Sequence, residues 1–358
     1  MATSSSLTLA YDSLLSSTLF NYRKTLEDNV TDEFIIYYMI KQGGGWKEVS
    51  DVGERSAFPL LYELGSPDSY DGYGQLDVTP TNGITTAFYD WRQAAVPIAI
   101  SGKEEIMNKG EARIINLLKA KIMQAEMGMK EWWSKAFLHG DGMNGNSIIT
   151  PRVSPSNASS FIDPLGLLVK YDPTTGTDIG NITQTDTNAD GETWWANKTK
   201  AANGATTFLK FRQALRELYN DTSKRVGGRP NLHICDQVTS EIYEQALEAM
   251  HQNPSYTKTD LPFDVLVFKG KPLKWEENMI DPYTDAVNTS TAGAWYMLNT
   301  PMLGVKVVKD RNFVTTPFQK PENQDAKVAH ILWMGAAGTY NRGKQGVMGR
   351  IPRTLTAS

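Results

Sequence analysis

Residues 101–140, SGKEEIMNKGEARIINLLKAKIMQAEMGMKEWWSKAFLHG, constrain the fold more than any other stretch. They predict one long, nearly continuous amphipathic helix in a chain that otherwise reads as β-rich. Ser101 and Glu104 have the S-x-x-E spacing of a capping box, whose side chains satisfy the orphan backbone donors of a first turn. Asn108 and Gly110 then interrupt that turn. From Glu111 to Leu138 the apolar residues Ile114, Leu118, Ile122, Ala125, Met129, Trp132 and Ala136 recur at steps of three and four, which makes one stripe. Glu126 with Lys130 and Glu131 with Lys135 are favourable i,i+4 pairs on the polar side. Gly140 follows the last periodic residue, where a left-handed cap is expected. At 1.5 Å per residue the run is roughly 40 Å long, the size of a structural spine lying on a sheet.

A chain of 358 residues favours two subdomains over one. The net charge of −4 gives little electrostatic drive toward nucleic acid, except through a local basic surface. Cys235 is the single cysteine, so no disulfide pair and no cysteine metal cluster can form within the chain. The first residues lack a basic stretch before their apolar run, and no segment has the length of a membrane span, so synthesis in the cytoplasm is expected.

Residues 1–45 hold a helix-like apolar piece that ends in Gly43-Gly44-Gly45, which reads as a hinge. It has too few apolar residues for a core of its own. Residues 46–90 alternate polar and apolar, with turn signals at Gly65-Ser66-Pro67, Asp71-Gly72 and Asn82-Gly83, and predict an extended hairpin. A two-stranded arm is marginal alone and needs a partner to bury against. Residues 140–204, rich in Gly, Asn, Thr and Pro, read as loops and short strands anchored near Trp194-Trp195. Residues 205–304 read as an α+β unit, with helices over Thr206–Ser223 and Gln237–His251 and strands at Asn231–Cys235, Asp264–Lys269, Leu273–Glu276 and Ala294–Leu298. Val305–Val308 and Lys327–Tyr340 are further strands, expected to return to the sheet beneath the spine.

No candidate for chemistry outweighs its plain structural explanation. Gly140-Asp-Gly142-Met-Asn-Gly145 matches a dinucleotide fingerprint but follows a helix instead of a strand, so it caps the spine. Asp186, Asn188 and Asp190 match the first half of a calcium loop. The twelfth position, which should give a bidentate carboxylate, is Asn197, and an Asx-rich turn explains the pattern equally well. His233 and Cys235 share a strand face, yet Leu232 and Ile234 beside them predict a buried strand, with Asp236 starting the next helix. Glu104/Glu105 and Glu276/Glu277 are sequence neighbours that point apart, and Met123 and Met127 read as core. The chain reads as one without catalytic or cofactor-binding residues.

The order of elements, together with several local motifs, resembles the tailed-bacteriophage major capsid proteins of the Hong Kong 97-type fold. FYDWRQAA at 88–95, IAISGKEE at 98–105 and NKG at 108–110 look like that family's approach to its spine helix, and HGDG at 139–142 like the turn that leaves it. WYMLNT at 295–300, RNF at 311–313, NQDA at 323–326 and NRGKQGV at 341–347 look like its late strand signatures. The resemblance covers about residues 40–348.

It implies an α+β fold with an N-terminal arm (1–45), an extended loop (46–90), a peripheral domain (86–204 and 305–358, spine about 104–138) and an axial domain (205–304). The implied function is assembly as pentamers and hexamers into an icosahedral shell around double-stranded DNA, in a virion built in the bacterial host cytoplasm. The implied partners are many copies of the same chain, a portal protein at one vertex, separate scaffolding or decoration proteins and weakly held DNA, with no membrane. Trp46, Phe58, Leu60, Leu61, Tyr62, Tyr70 and Tyr73 are the expected inter-subunit contacts. Arg342, Lys344, Arg350 and Arg353 form a mildly basic tail that is the candidate for facing DNA. In that family's best-known form the long loop carries a lysine that crosslinks to an asparagine on a neighbour. Here Lys47 is the only lysine between Trp46 and Ile100 and sits at the loop's base, so a shell without such crosslinks is expected. An encapsulin-type compartment shares the fold class. A soluble calcium- or carbohydrate-binding protein is the alternative from another class, and it leaves the coreless arm and hairpin unexplained.

Overall fold

The computed structural model describes residues 35–65, 67, 69–74, 82–107, 117–139, 162–171, 173, 178–188, 191–202, 207–224, 227–248, 266–276, 279, 292–322 and 324–356. Most of the N-terminal arm, the start of the spine at Glu111, the glycine motif at 140–145 and Asp190 lie outside these residues. The described residues fall into two compact units, 94–131 with 311–333, and 35–93 with 132–310 and 334–356.

β4 (Arg92–Ser101) lies beside β11 (Ala326–Thr339), and β11 beside β10 (Leu303–Thr315); residues 94–101, 326–333 and 311–315 of these strands belong to the first unit. The short helix α2 (Gly102–Met107) follows β4 directly. Its capping box forms as the spacing requires: Ser101 N–H donates to Glu104 Oε2 at 3.0 Å, and Glu104 N–H to Ser101 Oγ at 3.2 Å. Lys121 Nζ, from the first turns of the spine helix α3 (Leu117–His139), donates to Glu104 Oε2 and to Ala99 O, both at 3.0 Å. Gly102 donates to Asp325 O at 2.9 Å, and a Cβ there would meet the Asp325 carboxylate.

The spine's buried stripe differs in register from the expectation. Ala125, Met129 and Ala136 are buried, but Trp133 and Phe137 are the fully buried aromatics while Trp132 is half-exposed. A step of four from Met129 reaches Trp133 as readily as a step of three reaches Trp132, and the neighbours decide. In the second unit Trp133 stacks on Phe137 at 5.2 Å and meets Tyr37 edge-on at 5.5 Å. Met123, expected in the core, is exposed.

The second unit opens with α1 (Ile35–Gln42), whose Ile36, Tyr37 and Ile40 are buried. The three glycines after it are not a free hinge. Gly43 caps the helix by donating to Met39 O, Gly44 takes φ +78°, and a Cβ on Gly45 would lie 2.6 Å from Leu303 O. They are there because backbone passes backbone. The chain then enters β1 (Trp46–Val49), which pairs in parallel with β10, Trp46 opposite Val305 through Val49 opposite Val308. The expected hairpin over 46–90 is therefore shorter, because β1 leaves it for this sheet. Among the described residues, β2 (Ser56–Leu61) and β3 (Ile84–Tyr89) pair as its antiparallel arms.

A six-stranded sheet carries the rest, with β5 (Lys198–Ala201), β12 (Gly346–Pro352), β9 (Ala292–Leu298), β6 (Leu232–Cys235), β8 (Lys271–Trp275) and β7 (Val267–Phe268) side by side in that order. Helices α5 (Phe208–Ser223) and α6 (Gln237–Glu248) follow α4 (Leu165–Leu168) in the chain. Phe208, Phe211, Leu215 and Leu218 of α5 recur at helical spacing and join Ile242, Tyr243 and Ala246 of α6. Together they cover Cys235, Trp295, Met297, Met348 and Ile351 of the sheet. Each such side chain contributes about 1.5–3 kcal/mol on leaving water. Thr207 caps α5, and Asp236 starts α6 by accepting from Thr239 N–H and Oγ1–H and from Ala294 N–H of β9. The sheet extends beyond residues 205–304 on both sides, since β5 and β12 complete the surface that α5 needs to cover.

Candidate functional site

The hairpin has one face inside and one outside. Along β2 the burial alternates, with Ser56, Phe58 and Leu60 buried and Ala57, Pro59 and Leu61 exposed; in β3, Ala87 and Tyr89 are buried while Ile84 and Phe88 are exposed. The inner face is seated by two glycines. A Cβ on Gly304 would come within 2.7 Å of the Phe58 ring, and one on Gly338 within 2.6 Å of the Tyr89 ring. Phe58 meets Tyr89 edge-on at 5.2 Å and Tyr340 at 4.8 Å. Lys306 Nζ lies 4.1 Å from the centre of the Phe58 ring and donates to Ala57 O. Burial, and then the charge of Lys47, lower its pKa.

The outer face is apolar as well. Register sets Ala57 opposite Phe88, Pro59 opposite Thr86 and Leu61 opposite Ile84, so these residues share one surface. Leu61 is 65% exposed, Ile84 69% and Leu64, just beyond β2, 75%, while Tyr70 and Tyr73 project near the tip. Side chains of this type on one ribbon face are unusual unless something covers them.

The expected contact residues therefore divide. Leu61, Tyr70 and Tyr73 are exposed. Phe58 and Leu60 are spent inside the chain, and Trp46 packs against Tyr37 and Trp133 at 5.2 and 5.3 Å. Tyr62 stacks on Trp194 at 5.1 Å. Ile84, Phe88 and Leu64 are exposed but not among the expected contacts. Ile84 and Phe88 share one face of ITTAFY, and counting both faces of that strand marks them.

The basic tail is largely an internal structure. Arg342 is fully buried: its Nε donates to Leu168 O at 2.9 Å, Nη1 to Trp195 O at 2.9 Å and Gln184 Oε1 at 3.3 Å, and Nη2 to Asn197 Oδ1 at 3.0 Å. Burial pulls its pKa down to about 10, so it stays charged at neutral pH. Lys344, also buried, donates to Lys224 O at 2.8 Å. Arg353 pairs with Asp236, and Arg350 is half-buried at a bulge in β12, with φ +55°. Arg342 and Lys344 are thus turned inward, because the carbonyls that satisfy them are inside the fold.

The other candidates lose their chemistry in the same way. Asn188 Oδ1 accepts from Glu192 N–H at 2.9 Å, and Thr187 bridges Thr193, so the Asn188 side chain of the partial calcium motif is taken up by backbone. Among the described residues, no three His, Cys, Asp or Glu side chains are grouped to hold a metal. His233 and Cys235 are buried; burial holds His233 down to about 3 and pushes the Cys235 thiol well up, so neither works as base or nucleophile at neutral pH. No helix among the described residues is long and apolar enough to cross a membrane.

The sequence matches no protein-family model and no curated protein. Solved structures match it over nearly the whole chain. The capsid asymmetric unit of cyanophage A-1(L) aligns with a TM-score of 0.58 at 12% identity, over 92% of this chain and 96% of that one. The capsid of a native GTA particle gives 0.56 at 10% identity, over 92% and 94%. The holo-SrpI encapsulin complex from Synechococcus elongatus gives 0.56 at 8% identity, over 95% and 96%. The likeness is one of fold, and the chain has the Hong Kong 97-type capsid fold that its motifs led us to expect.

Proposed function

We propose that this chain is the major capsid protein of a tailed bacteriophage, which assembles as pentamers and hexamers into an icosahedral shell around double-stranded DNA. The observation that carries the reading is the uncovered apolar face of the hairpin, in a fold shared with shell-forming chains. A second copy of the chain is the natural cover. Each contact is small, but closed symmetry repeats it many times.

In this reading residues 1–45 are the arm, 46–90 the loop over a neighbour, 86–204 and 305–358 the peripheral domain, and 205–304 the axial domain. The wall works by packing and has no catalytic role. Portal, scaffolding and decoration proteins are separate partners, and DNA is enclosed rather than held tightly. Lys47, at the hairpin's base with its ammonium 4.6 Å from the centre of the Tyr340 ring, is engaged within the chain, which favours a shell without covalent crosslinks.

Negative-stain microscopy with light scattering on the purified chain tests this. Closed shells, tubes or five- and six-membered rings are the expected products, and a monomer at every salt and protein concentration would overturn it. The encapsulin match supports a second reading, a protein-filled compartment. Shells recovered from cells should contain packaged DNA under the first reading and a cargo enzyme under the second.

A further inference from the structure

We propose that residues 178–188 and 191–197 form a built-in brace that fixes the direction of the β2–β3 hairpin in the free subunit, so that the arm is set before a neighbour binds. The last clause rests on the shell reading above. Three contacts make the brace. The amide of Phe88, on the side of β3 turned away from β2, donates to Gly180 O at 3.0 Å. Gly180 has φ +65°, and a Cβ on it would lie 2.8 Å from the Ala87 side chain, so the turn is pressed onto the strand. Beyond the end of β2, Tyr62 stacks on Trp194 with an interplanar angle of 27°.

The brace is itself anchored. Trp195 Nε1 donates to Ile179 O at 2.9 Å, closing the segment on itself. Arg342 then grips Trp195 O and Asn197 Oδ1, and Asn197 Nδ2 donates to Lys170 O at 2.7 Å. A continuous path of hydrogen bonds and ring contacts therefore runs from the buried Arg342 to β3 at Phe88 and to Tyr62, the residue that follows β2. Ion pairs hold the base, Arg55 to Asp90 at 3.2 Å and Arg92 to Asp163 at 3.8 Å. An arm held at its base and on its edge has less conformational freedom to lose when it docks, so its apolar face is preorganised for a neighbour.

Hydrogen exchange on the full-length subunit, kept below its assembly concentration, tests the brace. The Phe88 amide should be protected in the native protein. Trp194→Ala should speed its exchange about tenfold or more while the amides of Leu232–Cys235 keep theirs, and Trp194→Phe should restore protection. Should Trp194→Ala unfold the whole subunit, Gly180→Ala serves instead, since its Cβ pushes the turn off β3. Native exchange of Phe88 at open-chain rates, or a folded Gly180→Ala protein with unchanged protection, overturns the proposal. In assembly, Trp194→Ala should give open or irregular products; closed shells of native size despite lost protection would overturn the claim that the arm must be set beforehand. Failure of the native chain to assemble at all would defeat the shell reading, while the exchange data still decide the brace.

Discussion

Arg342 Nη2 donates to Asn197 Oδ1 at 3.0 Å, and the other acceptors of this buried guanidinium, Leu168 O, Trp195 O and Gln184 Oε1, are equally uncharged. A full charge held by neutral oxygens alone needs every one of those bonds. Arg342→Met should destabilise the subunit by about 3–5 kcal/mol, since several buried carbonyls lose their donor together. Arg342→Lys should recover only part of it, because an ammonium cannot reproduce the planar fork. Urea unfolding of the subunit measures both, and wild-type stability in Arg342→Lys would contradict the account.

Gly304 and Gly338 should tolerate no side chain. Their missing Cβ atoms are the seat of Phe58 and Tyr89. Gly338→Ala places a methyl against an aromatic ring that is packed on its other sides, which costs about 1–3 kcal/mol of overpacking. The hairpin should loosen with it, seen as faster amide exchange in Ser56–Leu61. A crystal or cryo-microscopy map with Tyr89 unmoved in Gly338→Ala would contradict this.

What was legible in the sequence is what depends on near neighbours. The Ser101–Glu104 capping box lies within four consecutive residues, and it forms. Buried His233 and Cys235 could be read from the Leu and Ile between and beside them. The hairpin's existence was legible from its turn residues, but not its inner face, because SAFPLL and ITTAFY are apolar on both sides. That choice is made by Gly304, Gly338 and Tyr340, more than two hundred residues further along the chain. The burial of Arg342 is hidden for the same reason, since only the distant carbonyls of Leu168 and Trp195 bring it inside. Gly43 and Gly45 look like a hinge locally and are a close crossing in three dimensions.

His233 makes the subunit acid-sensitive in a defined window. Among the described residues neither buried ring nitrogen has a hydrogen-bond partner, and the rings of Tyr219, Phe268 and Trp295 surround the imidazole. Burial holds its folded pKa at about 3, below the ordinary value of 6.5. As the pH falls below 6.5 the unfolded chain takes up a proton that the folded chain refuses. The contribution is therefore fully present above 6.5 and is lost progressively toward 3, roughly 3–5 kcal/mol over the window. His233→Phe should flatten the pH dependence of the denaturant midpoint between 6.5 and 3. Parallel curves for the two proteins would refute the assignment.

The exposed ribbon face should matter to association and hardly to folding. Leu61 and Ile84 face each other across β2 and β3 on the outer side, and neither contributes to the buried core. Replacing both by aspartate in the free subunit adds charge to a surface already in water. Its effect on stability should stay within about 0.5 kcal/mol, apart from a small repulsion between the paired carboxylates. In an assembled wall the same two charges would be buried without partners at every copy of the contact, a cost of several kcal/mol each time. Leu61→Asp with Ile84→Asp should thus leave the melting curve of the subunit nearly unchanged and abolish shells, tubes and rings in the microscope. Phe58→Ala, on the inner face, should do the reverse at first. It should cost about 3–5 kcal/mol of subunit stability, and any defect in assembly should follow from the unseated hairpin. If the double aspartate variant still formed native shells, the outer face would be solvent-facing in the wall, and the contact between copies would have to lie elsewhere on the chain.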